Sequence, residues 1–259
     1  MTEVENKYLA SERREQLRKV IAEKGAARIG LLCEMLDSSP ATVRRDLQFL
    51  HDRGIVERVH GGALSVGRGN EEPPFNDKAS IYLSEKRKIA HKAASIIESE
   101  DTVYLDGGST TLQLARLISD RKDLTVVTNS FKSALEFSES GCRLILVGGE
   151  FRRRSQTIVG ALTSHVLGNI NVDKAFMGTM GFSRRHGLTT TEPNESYTKK
   201  LAVSRAQKVY LLADSHKGGK VFLSNSGGLE SIDVLITDKG LSKDYKTYLR
   251  ELGVEVRCV

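Results

Sequence analysis

The chain has 259 residues, long enough for two domains with separate cores. Its 39% apolar and 28% charged composition is that of a globular protein. No apolar run approaches the roughly 20 residues of a membrane span, and the polar residues after Met1 make no signal peptide. Cys33, Cys142 and Cys258 are odd in number and lack metal spacing, so free thiols in a reducing cytoplasm are expected, with no metal and no membrane contact. A net charge of +6 suits a polyanionic partner, yet residues 1–60 hold 11 Lys and Arg against 10 Asp and Glu. Any polyanion contact there must rest on local placement.

From the N-terminus, Leu17, Val20 and Ile21 predict a helix over 11–24 that Gly25 ends. A second, over 28–36, carries Ile29, Leu32, Cys33 and Leu36, with Cys33 read as a small buried residue. The turn at 37–39 leads into a third. Ser39 suits its N-cap, Pro40 its first position, and Val43, Leu47 and Leu50 make an inward face at i, i+4 and i+7. At about 100° per residue, Ala41, Arg45 and Gln48 point the other way, flanked by Thr42 and Arg44. Beyond Gly54, Ile55-Val56 begins a strand bearing Arg58 and His60, which Gly61-Gly62 turns. Residues 28–50 thus read as a helix-turn-helix, winged by the hairpin. Two adjacent arginines alone are only a solvated face; with the wing they become a face for a major groove. There guanidinium forks match guanine, Gln48 matches adenine, and Thr42 reaches a phosphate or a thymine methyl. Arg58 and His60 lie near the flanking phosphates.

Residues 64–76 contain Gly67, Gly69, Pro73 and Pro74 without an apolar period and read as a linker between domains at 1–63 and 77–259. Ser84 with Ile89, Ala93, Ile96 and Ile97 predicts a helix over 84–99. Short apolar runs at 103–105, 124–127, 144–147, 175–177, 209–212, 234–237 and 254–256 then alternate with helical stretches near 110–119, 131–139, 193–206 and 243–252. This predicts a Rossmann-like α/β domain: a mostly parallel sheet, helices on both faces, ligands at the carboxyl ends of the strands.

The first of these strands runs into Asp106-Gly107-Gly108-Ser109-Thr110-Thr111. Its glycines let backbone approach a ligand, and the three hydroxyl residues open a helix whose unpaired N–H groups suit an anion. Without a Walker lysine or a third fingerprint glycine, no nucleotide cofactor is expected. For this loop alone, a turn and a helix cap remain an equal reading. Loops at Thr128-Asn129-Ser130, Gly148-Gly149-Glu150, Gly178 and Asp214-Ser215-His216-Lys217 converge on the same rim if the strands are parallel. Lys217 can neutralise a phosphate, and Asp106 or Asp214 can bind sugar hydroxyls. Arg152-Arg153-Arg154 can add charge to that rim, face water or face a partner subunit.

Two motifs, TVRRDL at 42–47 and RVHGGA at 58–63, resemble the DNA-binding domain of DeoR-type (GlpR-type) bacterial transcription regulators. LDGGSTT at 105–111, VTNS at 127–130, GGEFRRRS at 148–155, Val159-Gly160, DKAFMGTMGF at 173–182 and ADSHK at 213–217 are similar to the sensor domain of the same family. The resemblance spans roughly 9–256. It implies a winged helix-turn-helix joined to an α/β sensor domain similar in fold to ribose-5-phosphate isomerase and glucosamine-6-phosphate deaminase, which senses phosphorylated sugars or related metabolites. Carried over by position, Asp106, Gly108, Ser109, Thr110 and Thr111 form a phosphate loop. Thr128, Asn129, Gly149, Glu195, Lys199 and Lys217 line the remainder, and Arg152 alone of the three arginines matches a usual position. Ser38 departs from a usual apolar residue, and His216 from a usual small one.

The expected function is a DNA-binding repressor of a carbohydrate-utilisation operon, a homodimer or homotetramer on double-stranded operator DNA that responds to a phosphorylated sugar. The alternative is a sugar-phosphate isomerase or deaminase with a nucleic-acid-binding module. Asp106, Asp214, Glu192 and Glu195 offer carboxylates for such chemistry, and fold alone does not decide. A winged helix has no purpose in that enzyme.

Overall fold

The computed structural model describes residues 9–53, 55–59, 61–65 and 72–259, with the backbone alone at 22, 23 and 65. The chain divides into two compact units between Tyr82 and Leu83. In the first, helix α1 (Ala10–Lys24), strand β1 (Ala26–Arg28), helices α2 (Ile29–Leu36) and α3 (Pro40–His51), strands β2 (Val56–Val59) and β3 (Gly62–Ser65) and helix α4 (Phe75–Ser80) follow in order. Leu17 and Ile21 of α1, Leu32 and Leu36 of α2, and Val43, Leu47 and Leu50 of α3 close one core. The Ser39 hydroxyl accepts from the Thr42 amide at 3.2 Å and Pro40 opens α3. Ser38 satisfies its hydroxyl by donating to the Leu36 carbonyl at 3.0 Å. On the inner side of α3, the buried Asp46 carboxylate accepts from Arg13 Nε at 2.5 Å and Arg14 Nε at 2.7 Å. These charge-assisted bonds lock α3 against α1.

The wing is an antiparallel sheet in the order β1-β3-β2. Strand β1 has no apolar period to announce it; close packing defines it instead. A Cβ on Gly62 would lie 2.3 Å from the Ala27 carbonyl oxygen, so β3 approaches β1 only as glycine. The expected linker is trimmed at both ends. Leu64 and Ser65 pair within β3, while buried Phe75 begins α4 and buried Glu72 binds Lys78. Residues 77–82, expected in the second domain, group with the first unit. One buried aromatic leaves no periodic trace in a sequence. Gly54, His60 and residues 66–71 lie outside the described residues.

The second unit opens with α5 (Leu83–Ala94), β4 (Thr102–Leu105), α6 (Ser109–Ile118), β5 (Thr125–Thr128), α7 (Phe131–Glu136) and β6 (Arg143–Leu146). A hairpin of β7 (Glu150–Arg152) and β8 (Thr157–Val159) and helix α8 (Ala161–Leu167) lead to β9 (Val172–Met177). Then come β10 (Gly181–Ser183), β11 (Gly187–Thr190), α9 (Pro193–Ser204), β12 (Ala206–Leu212), β13 (Ser224–Gly227), β14 (Val234–Thr237), α10 (Lys243–Glu251) and β15 (Glu255–Cys258). The helix predicted over 84–99 stops at Ala94.

All seven predicted strands join one sheet in the order β15-β14-β12-β9-β4-β5-β6, every neighbouring pair parallel. Alternate residues serve opposite cores. Val103 and Leu105 of β4 and Tyr210 and Leu212 of β12 pack with Ile89 of α5 and Leu114 of α6. Tyr104, Val209 and Leu211 pack on the other face with Ala202 of α9 and Leu249 of α10. From β4 the chain winds outward through β5 and β6, then returns to β9 on the other side of β4. This reversal is the point at which parallel α/β sheets open a crevice for ligands.

Candidate functional site

In the first unit, α3 turns Ala41, Arg44 and Arg45 to solvent, with Ser39 exposed at its start and Thr42 half-buried beside it. Gln48 is not an open reader. Its amide nitrogen donates to Asp52 Oδ1 at 2.6 Å, and its amide oxygen accepts from the exposed Arg58 of β2. That bond fastens the wing to the helix. The Arg14 and Arg53 guanidiniums both stack on the Phe49 ring, at 3.6 and 3.5 Å from its centre.

In the second unit, the carboxyl ends of β4 and β9 carry Asp106 and Gly178. Buried Asp106 accepts from the Gly178 amide at 2.9 Å and from the buried Lys199 ammonium, which also donates to the Gly178 carbonyl at 3.1 Å. Helix α6 starts directly beyond, with Gly108 as its cap residue and, among the described residues, no side-chain cap. Ser109 and Thr110 are buried there, and Thr110 Oγ1 has no hydrogen-bond partner among the described residues. Thr111 is engaged differently: its hydroxyl donates to the Asp106 and Gly108 carbonyls at 2.7 and 2.9 Å and shapes the loop from behind.

Lys199 and Glu195 lie four residues apart on α9 and so share a face. Glu195 accepts from Arg152 Nη1 at 3.1 Å, Thr157 Oγ1 at 2.9 Å and Thr190 Oγ1 at 3.3 Å. Thr157 in turn packs on the loop after β4, where a Cβ on Gly107 would meet its methyl at 2.0 Å. A ring thus runs from Asp106 through Lys199 and Glu195 to the β7–β8 hairpin and back to Gly107. Tyr104 lies beneath it. Burial and the nearby Asp106 and Glu195 charges push its hydroxyl well above the usual range, so it stays a donor, to Asn129 Oδ1 at 2.9 Å.

The other predicted rim residues have structural partners. Asn129 Nδ2 donates to the Ile158 carbonyl at 3.1 Å, and Thr128 Oγ1 donates to the Leu105 carbonyl at 2.6 Å while accepting from the Ser130 amide. Gly149 has a φ of +147°, and a Cβ there would fall 2.3 Å from Thr163 Oγ1. Lys217 sits on the short turn Ser215–Lys217, held by Asp238, which accepts from the Ser215 amide and hydroxyl at 2.6 and 2.8 Å. Beside it Asp214 is buried. Burial works to raise its pKa, but the His216 ring 3.7 Å away and the Lys217 and Lys86 ammoniums outweigh that and hold it at about 2.

Sequence reasoning missed Lys86, Thr157 and Thr190. Lys86 had a signal: it shares an apolar stripe with Ile89, Ala90 and Ala93, an improbable place for an idle charge. The two threonines lie on short strands with no period to mark them. Among the described residues no cluster of side chains suits a metal ion, and no helix is long and apolar enough to cross a membrane.

Residues 13–68 match the model of the DeoR-like helix-turn-helix domain, and residues 82–239 that of the DeoR C terminal sensor domain. An uncharacterized HTH-type transcriptional regulator of Haemophilus influenzae is 35% identical over 99% of this chain and 100% of its own length. The HTH-type transcriptional regulator GlpR of Haloferax volcanii is 35% identical over 96% of this chain and 97% of its own. Among solved structures, ribose 5-phosphate isomerase A of Methanocaldococcus jannaschii shares 18% identity at a TM-score of 0.39, covering 52% of this chain and 54% of that one. The α/β fold of the second unit stands on its own sheet order. With helix-turn-helix and sensor models matched in sequence along one chain, this protein belongs to the DeoR family of transcriptional regulators.

Proposed function

We propose that the protein is a repressor of a carbohydrate-utilisation operon, acting in the cytoplasm, whose grip on double-stranded operator DNA is set by a phosphorylated sugar bound at the rim of the second unit. The observation that carries this reading is the first turn of α6. Among the described residues its N–H groups have no side-chain cap and the Thr110 hydroxyl nearby has no partner, and the helix opens at the reversal between β4 and β9. Asp106, Gly108, Ser109, Thr110 and Thr111 form the phosphate loop. Lys199, Lys217 and Arg152 supply positive charge, and Lys199 and Arg152 also neutralise Asp106 and Glu195, which are left to accept from sugar hydroxyls. Thr128, Asn129 and Gly149 shape the floor.

On the DNA side, Ala41, Thr42, Arg44 and Arg45 enter the major groove from a helix start set by Ser39. Gln48 steadies Arg58, which reaches flanking phosphates with His60. One such helix reads few base pairs, so the protein works as a homodimer or homotetramer on paired half-sites. A thermal-shift screen of sugar phosphates beside the matching free sugars tests the effector class. A ligand at 100 times its Kd adds about 2.7 kcal/mol to the folded state. Shifts confined to phosphorylated sugars support the reading; equal shifts from the free sugars contradict it.

A further inference from the structure

Three consecutive basic residues, Arg184, Arg185 and His186, make the turn that joins β10 to β11, and all three are exposed. The turn is held from several sides. The Arg184 guanidinium lies over the Tyr245 and Tyr248 rings of α10, 5.3 and 5.0 Å from their centres, and the Tyr248 hydroxyl donates to the Arg184 carbonyl at 3.4 Å. Asn225 Nδ2 of β13 donates to the His186 carbonyl at 2.8 Å, and the His186 amide donates to Ser183 Oγ at 3.0 Å. Against this turn opens a cleft of about 400 Å³, within the size range of small-molecule sites. Val221 and Leu223, on the loop before β13, and Glu230, just after it, line the same cleft.

Its charges are unmet. Elsewhere in this unit Arg152, Lys174 and Lys199 each meet a carboxylate. Among the described residues, Arg184, Arg185 and His186 have no carboxylate within ion-pair distance, and Glu230 has no base. Both signs thus share one cleft without reaching each other, and between them Val221 and Leu223 expose apolar surface, 41% and 68% open. The geometry points to a second ligand site, for a small organic carboxylate whose apolar body carries a hydroxyl. Arg184 and Arg185 present planar forks that match a carboxylate, Val221 and Leu223 cover the body, and Glu230 accepts from the hydroxyl. Two guanidiniums against one glutamate leave a single positive charge, which a monoanion with an uncharged donor balances. The cleft is separate from the rim. Thr189 of β11 lines the cleft, whereas its neighbour Thr190 turns to Glu195, as successive residues of a strand face opposite sides. The assignment therefore stands apart from the sugar-phosphate reading.

The test is a methyl-resolved NMR titration of the full-length protein with 4-(hydroxymethyl)benzoate. Benzyl alcohol, which lacks the carboxylate, and benzoate, which lacks the hydroxyl, are run beside it. The Val221 and Leu223 methyls are expected to shift saturably at millimolar probe, while the Thr110 methyl at the start of α6 stays still. Benzyl alcohol gives no shift, and benzoate binds at least threefold more weakly. Arg184→Gln with Arg185→Gln lowers the affinity for the probe at least tenfold. Arg185→Glu alone does the same and covers the case in which losing the Arg184 stacking disorders the turn. Glu230→Ala abolishes the preference for the probe over benzoate. No shift at Val221 and Leu223 up to tens of millimolar, equal shifts from benzyl alcohol or benzoate, or undiminished binding by Arg185→Glu overturns the site. A shift of the Thr110 methyl instead places the probe at the rim and overturns it as well.

Discussion

The Lys199 ammonium of α9 rests against the Asp106 carboxylate at the end of β4, and both side chains are buried. Their contact joins a helix to the loop that begins α6. Removing one partner leaves a buried charge without compensation, which costs on the order of 3–5 kcal/mol. Lys199→Met is therefore expected to lower the urea stability of the second unit by that amount. Adding Asp106→Leu should recover much of the loss, a coupling that a double-mutant cycle measures. Equal stability of Lys199→Met and the parent would show that the pair is not buried in solution.

Gly107 faces the Thr157 methyl so closely that alanine does not fit. Gly107→Ala is expected to cost about 1–3 kcal/mol by overpacking and to displace Thr157 from Glu195. Thr157→Ser deletes the methyl and keeps the hydroxyl. In the Gly107→Ala background it should restore most of the lost stability, read by thermal unfolding; no rescue would place the clash elsewhere.

Adjacent residues of α3 should fail in opposite ways. Arg45 is exposed, so Arg45→Ala leaves unfolding unchanged and weakens operator binding by about 1–3 kcal/mol if its fork meets a guanine. Asp46 is buried between two arginines, so Asp46→Ala destabilises the first unit by about 3–5 kcal/mol. Calorimetry beside fluorescence anisotropy on operator DNA separates the two. Loss of folding in Arg45→Ala, or unaltered folding in Asp46→Ala, contradicts the assigned orientation of the helix.

Asp214 makes acid stability testable. Its folded pKa of about 2 lies below the unfolded value near 3.8, so its contribution is present above pH 4 and is lost as the pH falls through 2. The depression corresponds to about 2 kcal/mol. Asp214→Asn should flatten the stability profile between pH 4 and pH 2 by roughly one proton. An unchanged slope would mean that Asp214 titrates alike folded and unfolded.

Long, periodic elements were legible from the residues: all seven strands of the main sheet, the three helices around Val43, Leu47 and Leu50, and the Ser39 cap. What stayed hidden was short or defined by packing at a distance. Strand β1 exists because Gly62 admits the Ala27 carbonyl, and α4 because a single Phe75 is buried. The ring around Glu195 escaped for the same reason. Thr157 and Thr190 sit on strands of three and four residues, too brief for a period, and meet only when β8 and β11 converge on α9. Gln48 was legible as exposed helix face but not as a partner of Arg58, since that bond needs the wing in place.

The central claim is that a phosphorylated sugar held at the start of α6 alters DNA binding by α3. A ligand shifts that balance only through different affinities for two arrangements of the protein, typically by 1–3 kcal/mol. The most direct measurement is a titration of sugar phosphates into the preformed complex with an operator fragment selected in vitro, run on the parent, Thr110→Val and Lys217→Ala. All three proteins should bind the fragment alike without effector. The parent alone should respond, to the phosphorylated sugar and far more weakly to the free sugar. Variants that respond like the parent, or a free sugar that works equally well, would reduce the loop after β4 to a helix cap and contradict the account.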